Sequence, residues 1–162
     1  AGEGTVCRLG VPVKRAGAPA APRPGETSET GTFRVLVVDD EKEVLAVLGE
    51  LLEALGQDVT TAQGGIEGMA RLREAHADGK GPEIVFTDLG MPGVGGWEIA
   101  QETKALYPDA YVVLVTGWGV QIDAEGARGK GVDYLLGKPF TVEDVEGTLR
   151  RIRSLVSNLR AA

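Results

Sequence analysis

Val35-Leu36-Val37-Val38-Asp39-Asp40 is the stretch on which the fold turns: four apolar residues without a polar break, then two acids. Such a short run, rich in β-branched residues, reads as a strand. Working outward, similar short runs recur, and the expected strands are Arg34 to Val38, Asp58 to Ala62, Ile84 to Thr87, Tyr111 to Val115 and Tyr134 to Leu136. Longer stretches of helical period separate them. Val44, Leu45, Leu48, Leu51, Leu52 and Leu55 fall on one helix face that Gly56 ends. Ile66 to Arg73, Trp97 to Leu106 and Val142 to Val156 read the same way, the last opened by Thr141 as N-cap with Asp144 three residues on. The segment from Val120 to Gly131 holds Gly126 and Gly129, each costing about 1 kcal/mol against Ala in a helix interior, and predicts a short or mobile element. Five strand–helix alternations make the expected fold α/β, a doubly wound parallel sheet of (βα)5 type. In such sheets ligands bind beyond the carboxyl ends of the strands.

The chain has 162 residues, 43% hydrophobic and 25% charged, suited to one domain with an appended segment. Its apolar runs fall far short of the roughly 18 residues of a spanning helix. No basic stretch followed by an apolar core marks a secretory leader, and a first residue other than Met suggests a piece of something longer. The net charge of −7 disfavours broad attachment to nucleic acid or an anionic membrane and suits a cation or a basic partner. Cys7 is the only cysteine and His76 the only histidine, which excludes an internal disulfide and zinc sites built on Cys/His clusters. A reducing cytoplasm is the expected setting.

Composition shifts near residue 32. Residues 1–14 contain one alternating run, compatible with a remnant strand of a preceding domain; residues 15–32, with three prolines, read as a flexible linker; residues 33–162 form the folded domain.

Reactive side chains gather where the expected strands end. Asp39 and Asp40 follow the first, Asp88 the third, Thr116 the fourth and Lys138 the fifth. Singly, each has a bland role as a helix cap, a turn residue or a solvated lysine. In a parallel sheet they converge on one edge, and clustered carboxylates repel unless a cation or proton intervenes. Three carboxylates suit a hard divalent ion, and Mg²⁺ characteristically takes one or two of them with waters and a phosphate oxygen. Phosphoryl chemistry follows, with Asp88 on the central strand as nucleophile, and with Lys138 and the Thr116 hydroxyl each meeting a phosphoryl oxygen.

The motifs Asp39-Asp40-Glu41, Thr87-Asp88-Leu89-Gly90-Met91-Pro92-Gly93, Val115-Thr116-Gly117-Trp118-Gly119 and Lys138-Pro139-Phe140, in this order, resemble the receiver domains of two-component response regulators. The resemblance runs from Phe33 to about Leu159, roughly four fifths of the chain. It implies a flavodoxin-like fold with strand order 2-1-3-4-5 and a cis Lys138-Pro139 bond. It also implies that Asp88 accepts a phosphoryl group from phosphohistidine, that Asp39, Asp40, Asp88 and the Gly90 carbonyl organise Mg²⁺, and that Thr116 moves toward the phosphoryl group and shifts a conformational equilibrium. One position departs: where the family often has a switching aromatic, three residues before the lysine, this chain has Leu135. Adjacent Tyr134 is expected on the opposite strand face. Output is therefore expected to differ from the familiar aromatic rearrangement. Trp97 is expected to pack, Trp118 either to shield an acyl phosphate or to pack in its loop, and His76 to lie on the surface, so the phosphoryl donor lies outside this chain.

Gly2-Glu3-Gly4-Thr5-Val6 leading to Val11-Pro12-Val13 looks like the final strand of a histidine kinase ATP-binding domain, with Cys7 where an apolar or aromatic residue is usual. A receiver after such a strand and a linker is the layout of a hybrid histidine kinase. Expected partners are a phosphohistidine-bearing kinase domain, in cis or in trans, and a histidine phosphotransfer protein, with no nucleic acid and no membrane contact by this segment. The kinase's own ATP-binding motifs are missing, and the end at Ala162 is expected to leave no room for a DNA-binding domain. An Asp-nucleophile phosphatase would carry Asp-x-Asp-x-Thr after the first strand, and a nucleotide-binding module would carry a glycine-rich phosphate loop. Neither pattern is present. The remaining alternative is a phosphorylation-independent interaction module of receiver fold.

Overall fold

The computed structural model describes residues 31–117 and 122–161. The expected remnant strand, nearly all of the linker, and Trp118 lie outside the described residues.

Strands β1 (Arg34–Asp39), β2 (Asp58–Gln63), β3 (Ile84–Asp88), β4 (Tyr111–Thr116) and β5 (Tyr134–Gly137) alternate with helices α1 (Lys42–Ala54), α2 (Gly65–Ala77), α3 (Gly96–Leu106), α4 (Ala124–Gly129) and α5 (Val142–Ala161). The five strands form one parallel sheet in the order β2-β1-β3-β4-β5, the flavodoxin-like arrangement expected.

The apolar runs are covered on both faces. On β1, Val35 and Val37 point to a cluster with Leu45, Leu48 and Leu52 of α1 and Val145, Leu149 and Ile152 of α5. Leu36 and Val38 point the other way, to Leu72 of α2 and Ile99 of α3. A third cluster joins Val112 and Leu114 of β4 to Ala100 of α3 and Ala127 of α4. On central β3, Ile84, Val85 and Phe86 are fully buried; each contributes roughly 1.5–3 kcal/mol by leaving water.

Helix ends follow their local chemistry. Leu55 caps α1, and Gly56 then takes φ +79°, so that its N–H reaches the Glu53 carbonyl and the Gln57 N–H reaches that of Leu52. This paired closure demands a left-handed residue, which glycine supplies without a Cβ clash. At the start of α5 the Thr141 N–H donates to Asp144 Oδ2 at 2.8 Å, and the Asp144 N–H returns a bond to Thr141 Oγ1 at 3.2 Å, the reciprocal cap expected from sequence. Helix α4 is the short one, only six residues.

Every strand runs one residue beyond its expected end. The additions are Asp39, Gln63, Asp88, Thr116 and Gly137, held by the ladder pairs Asp39↔Gln63, Asp88↔Val115 and Thr116↔Gly137. Pairing with a neighbouring strand overrides the local preference of Asp39, Asp88 and Gly137 for turns, whereas Thr116 is a β-branched residue that suits the strand it ends. Three candidate site residues are therefore the last rungs of a rigid sheet. Among the described residues no helix is long and apolar enough to cross a membrane.

Candidate functional site at the carboxyl edge of the sheet

Asp39 ends β1 and Asp88 ends β3, on adjacent strands, so the pleat brings both carboxylates to the same edge. Lys138 follows β5, and its backbone N–H donates to the Thr116 carbonyl at 2.6 Å, which ties the β5–α5 turn to the end of β4. The Lys138-Pro139 bond is cis, as the resemblance implies.

From that turn the lysine reaches across the sheet edge. Its Nζ lies 2.8 Å from Asp88 Oδ1, 2.9 Å from Asp39 Oδ2 and 3.3 Å from Glu41 Oε1. The remaining oxygens are also held: the Glu41 N–H donates to Asp39 Oδ1 at 2.9 Å, and the Gly90 N–H donates to Asp88 Oδ2 at 2.7 Å. Thr116 is buried one ladder rung away, opposite Gly137.

Burial governs the electrostatics. The Asp39 side chain is 2% exposed, and desolvation raises its pKa above the ordinary carboxyl value, although the Lys138 ammonium and the Glu41 N–H offset part of the cost. For Lys138 desolvation works toward loss of charge, but hydrogen bonds and attraction from Asp88 and Asp39 outweigh it and raise its pKa well above the ordinary lysine range. The pocket thus holds a permanent cation between two acids.

Asp40 lies past the last paired residue of β1 and is exposed. Among the described residues no set of three acidic, histidine or cysteine side chains stands in a metal-holding arrangement; Lys138 stands between Asp39 and Asp88. The donor chemistry nonetheless suits Mg²⁺, which needs only one or two carboxylates and retains waters. Asp39 and Asp88 offer hard oxygen ligands, and the desolvation of Asp39 is a cost that a cation relieves.

Glu41 escaped the sequence reading as a site residue. It stands beside the two quoted acids, but its contact with Lys138 spans 97 residues, and no local pattern signals that. Gly90 was singled out for its carbonyl, whereas the visible contact is through its N–H. Tyr134 and Trp97 lie as expected. Tyr134 packs into the core cluster beneath α1 and α5, while Leu135 pairs with Leu114 on the face that Thr116 shares and is 42% exposed. Trp97 packs beside α4 with the Lys130 ammonium 4.5 Å from its ring centre, and His76 is exposed.

Comparison with known proteins agrees with this geometry. The family model described as response regulator receiver domain matches residues 35–150. Protein PilG of Pseudomonas aeruginosa is 29% identical over 120 residues, covering 73% of this chain and 85% of PilG. Sensor histidine kinase RcsC of Escherichia coli is 30% identical over 122 residues, covering 75% of this chain but only 12% of RcsC. Among solved structures, a response regulator receiver domain protein from Clostridium thermocellum superposes with a TM-score of 0.68 at 32% identity, covering 78% of this chain and 98% of that one.

Proposed function

Because the chain belongs to the response regulator receiver domain family, we propose that it accepts a phosphoryl group on Asp88 from a phosphohistidine and changes conformation in response. The observation that carries this reading is the Lys138 ammonium held between Asp39 and Asp88 at the strand ends.

In the reaction an Asp88 carboxylate oxygen attacks phosphorus in line with the P–N bond. That bond breaks, the imidazole nitrogen keeps the electron pair, and an acyl phosphate remains on Asp88. The chain's part is placement and charge. The Gly90 N–H and Lys138 hold the Asp88 carboxylate in one orientation. Lys138 stays protonated at neutral pH and presents a full positive charge to an incoming phosphoryl oxygen. Asp39, Asp40, Asp88 and the Gly90 carbonyl would hold Mg²⁺, which when bound neutralises charge on the transferred group. The Thr116 hydroxyl, at the end of β4, is the group to bond a further phosphoryl oxygen, and its inward movement biases the conformational equilibrium.

The donor is a phosphohistidine-bearing kinase domain, in a longer protein that includes this segment or in a separate one, or a histidine phosphotransfer protein. The match to a short part of RcsC supports the first, since that protein is named a sensor histidine kinase. A cytoplasmic setting fits a histidine-kinase partner.

Incubation with Mg²⁺ and acetyl phosphate, followed by intact mass beside Asp88→Asn, tests the reading. One added phosphoryl group in the unsubstituted protein alone, abolished by EDTA, is the expected result. No gain with either acetyl phosphate or a phosphorylated histidine donor would leave the alternative, a docking module that works without phosphorylation.

A further inference from the structure

The geometry points to Glu41 as a positioning residue that restrains phosphoryl capture by occupying Lys138, an inference that rests on the acceptor reading above. An ammonium has three N–H donors. In this structure they face three carboxylates, those of Asp88, Asp39 and Glu41. A phosphoryl oxygen that binds Lys138 must therefore displace one of them.

The three partners are unequal. Asp88 is the acceptor itself, and Asp39 is 2% exposed and pinned on its other oxygen by the Glu41 N–H. Glu41 makes the longest contact, 3.3 Å, from a side chain that is 63% exposed. Glu41 is the partner that yields. Its exposed carboxylate also sets a negative charge beside Lys138 on the solvent side, so it slows capture of an anionic phosphodonor twice, by competition and by repulsion.

The local structure allows a clean test. Glu41 is the N-cap residue of α1, yet its side chain makes no capping hydrogen bond, and its bond to Asp39 comes from the backbone. Glu41→Gln therefore removes the charge and leaves both helix and Asp39 in place. When acetyl phosphate is the donor, its P–O bond breaks, acetate leaves with the electron pair, and the Asp88–phosphorus bond forms.

The experiment compares initial rates of phosphoryl uptake from acetyl phosphate, with Mg²⁺, for the unsubstituted protein, Glu41→Gln and Glu41→Asp, at low and high salt. At low donor concentration Glu41→Gln should be faster by about two- to fivefold, the worth of an exposed ion pair. The advantage should shrink as salt rises, and Glu41→Asp, which keeps the charge, should return toward the original rate. Equal or slower uptake by Glu41→Gln, with unchanged melting temperature, overturns the inference alone. No uptake by the unsubstituted protein overturns the acceptor reading and this inference with it.

Discussion

Lys138 Nζ and Asp39 Oδ2 lie 2.9 Å apart although 99 residues separate them in the chain. The pair closes the sheet edge from β1 to the turn after β5, and the same ammonium reaches Asp88 on the strand between. Replacing Lys138 with Met would leave two carboxylates facing each other, one of them desolvated. The variant should lose about 2 kcal/mol of stability and fail to take up a phosphoryl group. Millimolar Mg²⁺ should raise its melting temperature more than that of the unsubstituted protein, because the metal then supplies the missing charge. Thermal melts with and without MgCl₂ check this; equal shifts would show that Lys138 does not compete with the metal.

Gly96 bears on the same pocket from behind. A Cβ there would collide with the Asp88 carbonyl oxygen and come within 2.8 Å of Leu114 Cδ1 and 3.0 Å of the Leu89 Cα. Gly96→Ala is therefore expected to destabilise the domain by about 1–3 kcal/mol and to slow phosphoryl uptake even where the protein remains folded. Urea titration beside the uptake assay separates the two effects. A variant with full stability and full rate would mean that α3 can slide off the end of β3 without cost.

The start of α5 predicts a pH response. Hydrogen bonds from the Thr141 N–H and hydroxyl hold the Asp144 carboxyl below its ordinary value of 3.8. A carboxyl whose pKa falls on folding stabilises the native state above its unfolded value, and the contribution disappears as pH drops through the lower, folded value. Thr141→Ala should cost about 1 kcal/mol at neutral pH, and the difference between the two proteins should narrow below pH 3.8. Denaturant melts at pH 7 and pH 3 decide; a difference independent of pH would remove Asp144 from the cap.

The placement of Tyr134 predicts its silence in signalling. Its ring is packed toward α1 and α5, and burial raises the phenol above the ordinary tyrosine value. The residue that shares the Thr116 face is Leu135. Tyr134→Phe should leave phosphoryl uptake unchanged, and the Tyr134 ring signals in NMR spectra should shift little on phosphorylation. Free and phosphorylated structures in which Tyr134 crosses to the Thr116 face would refute this.

Much of the fold was legible because both faces of the sheet are covered. The demand for apolar residues on each face writes β1, β3 and β4 into the sequence as unbroken runs, and the glycine after Leu55 marks the end of α1. Element ends were less legible. Asp39 and Asp88 prefer turns locally, but a neighbouring strand's ladder bonds hold them extended. Helix α2 outruns its apolar pattern to Ala77, because Gly79 at φ +67° supplies the closing turn further on. In the site, Asp88 and Lys138 were legible as strand-end residues. Glu41 was not, since its role depends on a lysine at the far end of the domain.

The lysine's late position has a consequence for the chain as it is made. The ribosome delivers both carboxylates of the pocket well before the ammonium, since synthesis runs from the N-terminus. Until β5 docks against β4 and brings Lys138 to the edge, a nascent sheet containing β1 and β3 carries two facing acids with no internal counter-charge. The final strand thus completes the pocket and removes an electrostatic penalty in one event, so neutralisation of the two acids reports that the last βα unit has been added.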